Sequence, residues 1–183
     1  MINLIKKPTL HGEKVILRPF IDEDIDIMLE CINDPEVMKF TGSSESFDTD
    51  FVIQWYKTRN IQENRLDLAI VDIKTQVTVG EVVINEYDEE KHSMNFRILI
   101  GAKGRDKGFG SETMNLILDY IFTYTDLKQI TLGVYAFNKR AHHVYEKVGF
   151  ILESIDKDDL EFEGEMIDSL NMVLSRENWK KTR

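Results

Sequence analysis

Apolar residues recur along this chain with two periods, and the places where the period changes outline the elements. Met94, Phe96, Ile98 and Ile100 alternate with other residues in the two-residue repeat of a strand. Downstream, Met114, Ile117, Leu118, Ile121 and Phe122 share one stripe at helical spacing, predicting a helix over 111–125 that buries this stripe against a sheet. A strand-like stretch from Gln129 to Phe137 comes next. After it a helix runs from Asn138, a good capping residue, to a stop at Gly149. Upstream, Val15 to Leu17 reads as a first strand, Asp22 as the cap of a helix reaching about Asn33, and Pro35 as the first turn of a short helix. Residues 41–47 form a polar loop, and Asp48 or Thr49 caps a helix carrying Phe51, Val52, Trp55 and Tyr56. Leu66–Val71 and Val77–Ile84 pair as a hairpin around a Lys-Thr-Gln turn, and the tail from Ile151 to Leu174 holds two more strands about Glu163-Gly164. Strands and helices in this order give a mixed sheet with helices on its faces, an α+β arrangement.

Composition narrows the setting. With 183 residues, 42% of them hydrophobic and only 3 prolines, the chain fits one compact domain over 1–183. No run approaches the roughly 18 consecutive apolar residues of a membrane span, and no cationic segment leads into a signal-like apolar run, so a cytoplasmic location with no membrane partner is expected. Cys31 is the single cysteine and is read as a small buried hydrophobe in the first helix. His11 and His92 have no companions at ligand spacing, and His142 and His143 lie on the polar side of their helix, so no metal is expected. The formal net charge of −10 argues against nucleic acid as a partner and permits a cationic one.

Against this background residues 105–110, Arg-Asp-Lys-Gly-Phe-Gly, stand out. They lie between a strand and the start of a helix, where unpaired backbone N–H groups and the helix dipole stabilise phosphate. Gly108 and Gly110 admit a close backbone approach, and Arg105 and Lys107 add positive charge. No Gly-Lys pair exists for a P-loop, and Thr113 stands where a dinucleotide fingerprint needs its third glycine.

Together with Asn138-x-x-Ala141-x-x-x-Tyr145-Glu146-x-x-Gly149-Phe150, this loop resembles the acetyl-CoA site of the GNAT superfamily of N-acetyltransferases. Weaker matches at Leu17-Arg18-Pro19 with Asp24, at Asn33 to Met38 and at Met172-Val173-Leu174 extend the resemblance over nearly the whole chain. It looks most like the group of ribosomal-protein N-terminal and spermidine acetyltransferases. The resemblance implies a GNAT fold with a mixed, mostly antiparallel sheet of six to seven strands, splayed between the fourth and fifth. It implies transfer of an acetyl group from acetyl-CoA to a primary amine, a small amine or polyamine or a protein N-terminus, directly within a ternary complex. A homodimer stays open, and the alternative is a non-catalytic acyl-CoA sensor.

By the same resemblance, Ile98, Leu99 and Ile100 offer their backbone to the pantetheine arm. Arg105, Asp106, Lys107, Gly108, Phe109, Gly110 and Ser111 hold the pyrophosphate, and Asn138, Ala141 and Tyr145 complete the cofactor site. Tyr145 matches the tyrosine that protonates the departing thiolate, a transfer from a phenol of pKa about 10 to a group near about 8.5; from periodicity alone a tyrosine here is more often a core aromatic than a catalyst. Asn95 stands where many relatives carry a catalytic glutamate and cannot accept a proton. Glu81, on an adjacent strand, is the nearest candidate base, acting through water, although a glutamate at this position is expected to face solvent. Asp34, Glu36 and Glu45, between the first helices, could hold a cationic acceptor or simply form a charged turn.

Overall fold

The computed structural model describes residues 2–183. Eight strands form one sheet: β1 (Leu10–His11), β2 (Val15–Arg18), β3 (Leu66–Asp72), β4 (Thr78–Asp88), β5 (Ser93–Ile100), β6 (Gln129–Tyr135), β7 (Ile151–Phe162) and β8 (Glu165–Ser175). Six helices accompany them: α1 (Asp24–Ile32), α2 (Pro35–Thr41), α3 (Thr49–Arg59), α4 (Phe109–Tyr124), α5 (Lys139–Val148) and α6 (Arg176–Lys181). Strand order is β1-β2-β3-β4-β5-β6-β8-β7, and all neighbours are antiparallel except β5 and β6. The two-residue β1 raises the expected count of six to seven. It also shifts the numbering, so that the strands expected as fourth and fifth are β5 and β6.

Local chemistry accounts for most element ends. The Asp34 carboxylate accepts from the N–H groups of Glu36 and Val37, Pro35 sits in the first turn, and Gly42 closes α2 in the left-handed region. Asp48 caps α3 and Asn138 caps α5, which ends at left-handed Gly149. Asp22 does not cap α1. The N-cap position is Glu23, which makes no side-chain capping bond, and the Asp24 carboxylate accepts from the Ile21 N–H and pairs with Arg18 of β2.

Two apolar layers hold the sheet. On one face Leu17, Leu66, Leu68, Ile84 and Met94 pack beneath Met114, Ile117, Leu118 and Ile121 of α4. On the other, Ala69 meets Met28 and Cys31 of α1 and Val52 and Tyr56 of α3. Strands β3 and β4 are therefore covered on both sides, and both are buried at every position from Leu66 to Asp72 and from Thr78 to Asn85. No helix among the described residues is long and apolar enough to cross a membrane.

Candidate active site

The site begins where a parallel ladder fails. β5 and β6 are paired only from Ser93–Gln129 to Asn95–Thr131, after which the strands part. A cavity of about 440 Å³ opens in the gap, lined on the β5 side by Phe96 to Ile100 and on the β6 side by Gly133 to Tyr135. Beyond Asn95 the edge of β5 that would face β6 is left without a strand partner, so its main-chain groups are available to an extended ligand.

One wall is the start of α4. Gly108 adopts φ 77°, a left-handed conformation that turns the loop into the helix, and the first intrahelical bond runs from the Glu112 N–H to the Gly108 carbonyl. The N–H groups of Phe109, Gly110 and Ser111 precede that bond, and all three residues line the cavity. A side chain at Gly110 would make only an ordinary 3.6 Å contact with Ile100, so this position is glycine for the sake of the cavity rather than the fold. Beneath the loop, Gly104 is required by packing, since a Cβ there would lie 2.8 Å from Val79. The turn is held from behind by Glu112, whose carboxylate accepts from the backbone N–H groups of Glu13, Lys14 and Val15 at 3.0, 2.9 and 2.8 Å.

Opposite stands α5. Asn138, Ala141 and Tyr145 all reach the cavity, and the Asn138 side-chain oxygen caps the helix at the Ala141 N–H, 3.2 Å away. The Tyr145 ring packs edge-on against Phe96 and tilts against Phe150, and burial pushes its phenol up to about 12. At neutral pH Tyr145 therefore keeps its proton, the state required of an acid.

The charged residues are arranged differently from their sequence grouping. Arg105 lines the cavity, yet its guanidinium is engaged by Asp34 and, at 2.5 Å, by Glu36. Asp34 and Glu36 thus spend their charge on Arg105; Glu36 reaches the cavity, Asp34 lies behind it, and Glu45 is on an exposed loop outside it. Asp106 pairs with Arg140, a cavity cation from α5 that the motif reading passed over. Lys107 turns back onto the Lys103 carbonyl at 2.7 Å and does not line the cavity.

Glu81 overturns an expectation. It is not solvent-facing: it is 6% exposed, directly beside Leu99 of β5 in the register, on the face covered by α1 and α3. Burial, reinforced by the nearby Asp67 carboxylate, pushes its carboxyl up to about 7, and the buried Tyr56 hydroxyl, which makes no well-formed hydrogen bond, partly opposes the rise. Glu81 does not line the cavity, though its neighbour Leu99 does. Asn95 is turned toward Asn85, 3.4 Å away, rather than toward a reacting group.

A roof completes the site. Val37, Phe40 and Thr41 of α2 line the cavity, so this short helix lies across the gap between the splayed strands. Its N-terminal end is fastened by Arg105 and its C-terminal end by Phe40, which meets Phe137 edge-on at 5.8 Å. Nothing in the spacing of Asn33 to Met38 announces this, because the contacts come from residues about 70 and 100 positions away.

A sheet splayed beside a glycine-started helix, with a tyrosine on the following helix, is the arrangement that the resemblance to acetyl-CoA-dependent transferases implies. Residues 14–151 match the acetyltransferase (GNAT) domain family, and the chain belongs to it. Among curated proteins it is 28% identical over 144 residues to a spermidine N(1)-acetyltransferase of Vibrio cholerae, covering 78% of this chain and 82% of that one. It is 27% identical over 166 residues to an uncharacterized N-acetyltransferase, p20, of Bacillus licheniformis, covering 87% and 92%. The same fold is seen in the crystal structure of spermidine N-acetyltransferase from Vibrio cholerae in complex with CoA and spermine, with a TM-score of 0.84 at 23% identity over 92% of this chain and 99% of that one. It is seen again in a GNAT-family acetyltransferase from Bacillus anthracis, with a TM-score of 0.79 at 22% identity over 93% and 99%. The protein is an N-acetyltransferase with acetyl-CoA as donor.

Proposed function

We propose that the chain transfers the acetyl group of acetyl-CoA directly to a primary amine of a small polycationic acceptor of the polyamine class. The observation that carries this reading is the continuous cavity running from the first turn of α4, past the unpaired edge of β5, to Tyr145. The backbone N–H groups of Phe109, Gly110 and Ser111 hold the pyrophosphate, with Arg140 adding positive charge beside them. The β5 edge at Ile98 to Ile100 takes the pantetheine arm as an added strand, and a main-chain N–H there polarises the thioester carbonyl. Tyr145 donates its proton to the departing thiolate. Glu81, titrating near neutrality one strand away, takes the proton of the amine through water.

The acceptor class rests on charge and kinship. Between positions 153 and 168 eight side chains are acidic and one, Lys157, is basic, so the β7–β8 hairpin carries most of the chain's excess negative charge. Two curated relatives, from Vibrio cholerae at 28% identity and from Escherichia coli at 26% identity, are spermidine N(1)-acetyltransferases. Thiol release from acetyl-CoA, measured with spermidine and with N-terminal Ala, Ser and Met peptides at low and high salt, tests the reading. Spermidine should give the highest kcat/KM, with an advantage that shrinks as salt shortens the screening length from about 10 Å to about 3 Å. A peptide preference persisting at both salts would overturn it.

A further inference from the structure

At the end of α2 the chain places one of its own ammonium groups among aromatic rings. Lys39 Nζ lies 5.4 Å from the centroid of Phe137, 5.8 Å from Phe162 and 6.0 Å from Phe40. These rings come from three separate parts of the fold, the roof helix α2, the segment after β6 and the end of β7, and they pack on one another at 5.8 and 5.6 Å. Phe137 also meets Tyr135 at 6.0 Å, and Tyr135 and Phe40 both line the cavity. The cluster is therefore the outer continuation of the site rather than a remote patch.

The ammonium has no other claim on it. In a chain with 33 acidic side chains, Lys39 forms no ion pair and its Nζ no hydrogen bond among the described residues. An exposed lysine is free to leave, and leaving costs only the ring contacts. What remains is a three-walled box of π faces at the foot of an acidic hairpin, a surface whose chemistry suits an alkylammonium.

We propose that Phe40, Phe137 and Phe162 form a cation cage for the non-reacting ammonium of the acceptor, and that Lys39 is its resident occupant, displaced when the acceptor binds. This rests on the polyamine reading of the site. A polyamine anchored by its distal ammonium in the cage would run its chain past Phe40 and Tyr135 into the cavity, presenting the far amine to the thioester. Lys39 would exclude neutral and singly charged amines, which cannot compensate for its removal, and so would serve selectivity rather than affinity.

Calorimetric titration of spermidine into the full-length protein, with coenzyme A bound, tests the cage directly. Lys39→Met removes the occupant and should tighten spermidine at least threefold. Lys157→Met removes the same charge from the acidic hairpin without emptying the cage and should change affinity by less than half as much. Phe137→Leu keeps the apolar volume and removes the π face, so spermidine should weaken about tenfold, and Phe137→Tyr should restore it. Unchanged affinity in Lys39→Met, equal effects of Lys39→Met and Lys157→Met, or a failure of both wild type and Lys39→Met to bind spermidine would each overturn the cage. Turnover of spermidine with affinity unmoved by these variants would remove the cage and keep the proposed function. Cage-dependent binding without turnover would keep the cage and remove spermidine as the acceptor.

Discussion

Asp34 holds α2 together and fastens it to the loop before α4 through the same carboxylate: Oδ1 accepts the N–H groups of Glu36 and Val37 and also meets the Arg105 guanidinium. The two duties separate by substitution. Asn caps a helix about as well as Asp, so Asp34→Asn should keep the helix and weaken only the ion pair, whereas Asp34→Ala loses both and should cost about 1 kcal/mol more in denaturant unfolding. With the roof unfastened, the acceptor KM should rise severalfold in both variants. Equal stability of the two would show that the cap contributes nothing.

Tyr145→Phe should lower kcat by on the order of 10² or more with little change in acetyl-CoA affinity, because the ring contacts with Phe96 and Phe150 survive and only the hydroxyl is lost. With its phenol pushed up to about 12 by burial, Tyr145 stays protonated well above neutrality, so the wild-type rate should show no fall from loss of the acid up to about pH 10. A kcat within twofold of wild type at saturating substrates would make the tyrosine purely structural.

The two loop glycines should fail differently. Gly108 sits at φ 77°, where a Cβ is strained and would lie 2.9 Å from Lys14 Nζ, so Gly108→Ala should destabilise the fold by about 1 kcal/mol. Gly110 has room for a side chain on the protein's side, so Gly110→Val should unfold near the wild-type midpoint yet bind coenzyme A at least tenfold more weakly. Thermal unfolding and calorimetry on both variants check the contrast. A large loss of stability in Gly110→Val would remove it.

Glu81 gives a stability signature with a definite sign. Its carboxyl titrates at about 7 in the folded chain against an ordinary 4.5. Below about 4.5 both states hold the proton and the neutral buried acid costs nothing extra. Between about 4.5 and about 7 the unfolded chain releases its proton first, so the contribution of Glu81 to stability is lost across that window and is level above it. Glu81→Gln cannot titrate, and its stability relative to wild type should climb by on the order of 3 kcal/mol from pH 4.5 to pH 7. Parallel stability curves for the two proteins would show that the carboxyl is not perturbed. The same variant, if Glu81 takes the proton of the amine, should lose the rise of kcat/KM near neutrality while keeping acetyl-CoA affinity.

The elements around the cofactor were legible because each has one buried face. β5 and α4 alternate or stripe cleanly, and Gly108, Asn138 and Gly149 mark turns that few other residues can make. Glu81 was misread for the opposite reason. β3 and β4 are covered on both faces, so their buried polar residues, Asp67 and Glu81, interrupt no alternation that could have exposed them. Arg105 and Lys107 were grouped as phosphate ligands by proximity in sequence, but side chains answer to whatever lies nearest in space. Arg105 found α2 while still lining the cavity, Lys107 found a carbonyl of its own loop, and a further cation that lines the cavity, Arg140, lies a helix and a strand further on. The role of α2 as a roof, and the ring cluster at its end, arise from pairings across long stretches of chain that no local pattern records.

The hairpin of β7 and β8 projects beyond the body of the sheet, and almost every residue of β7 is exposed on both sides, including Ile151, Leu152 and Ile155. A strand that buries so little contributes little to holding the molecule together, and most single replacements along it should alter stability by no more than about 0.5 kcal/mol. Its run of carboxylates also keeps this long outer edge from recruiting a strand of another molecule. The parts of the protein proposed to hold the donor are packed against the core, while the arm beside the cavity mouth is almost free of structural obligation. Sequence along the arm can therefore change widely while the fold stays as it is.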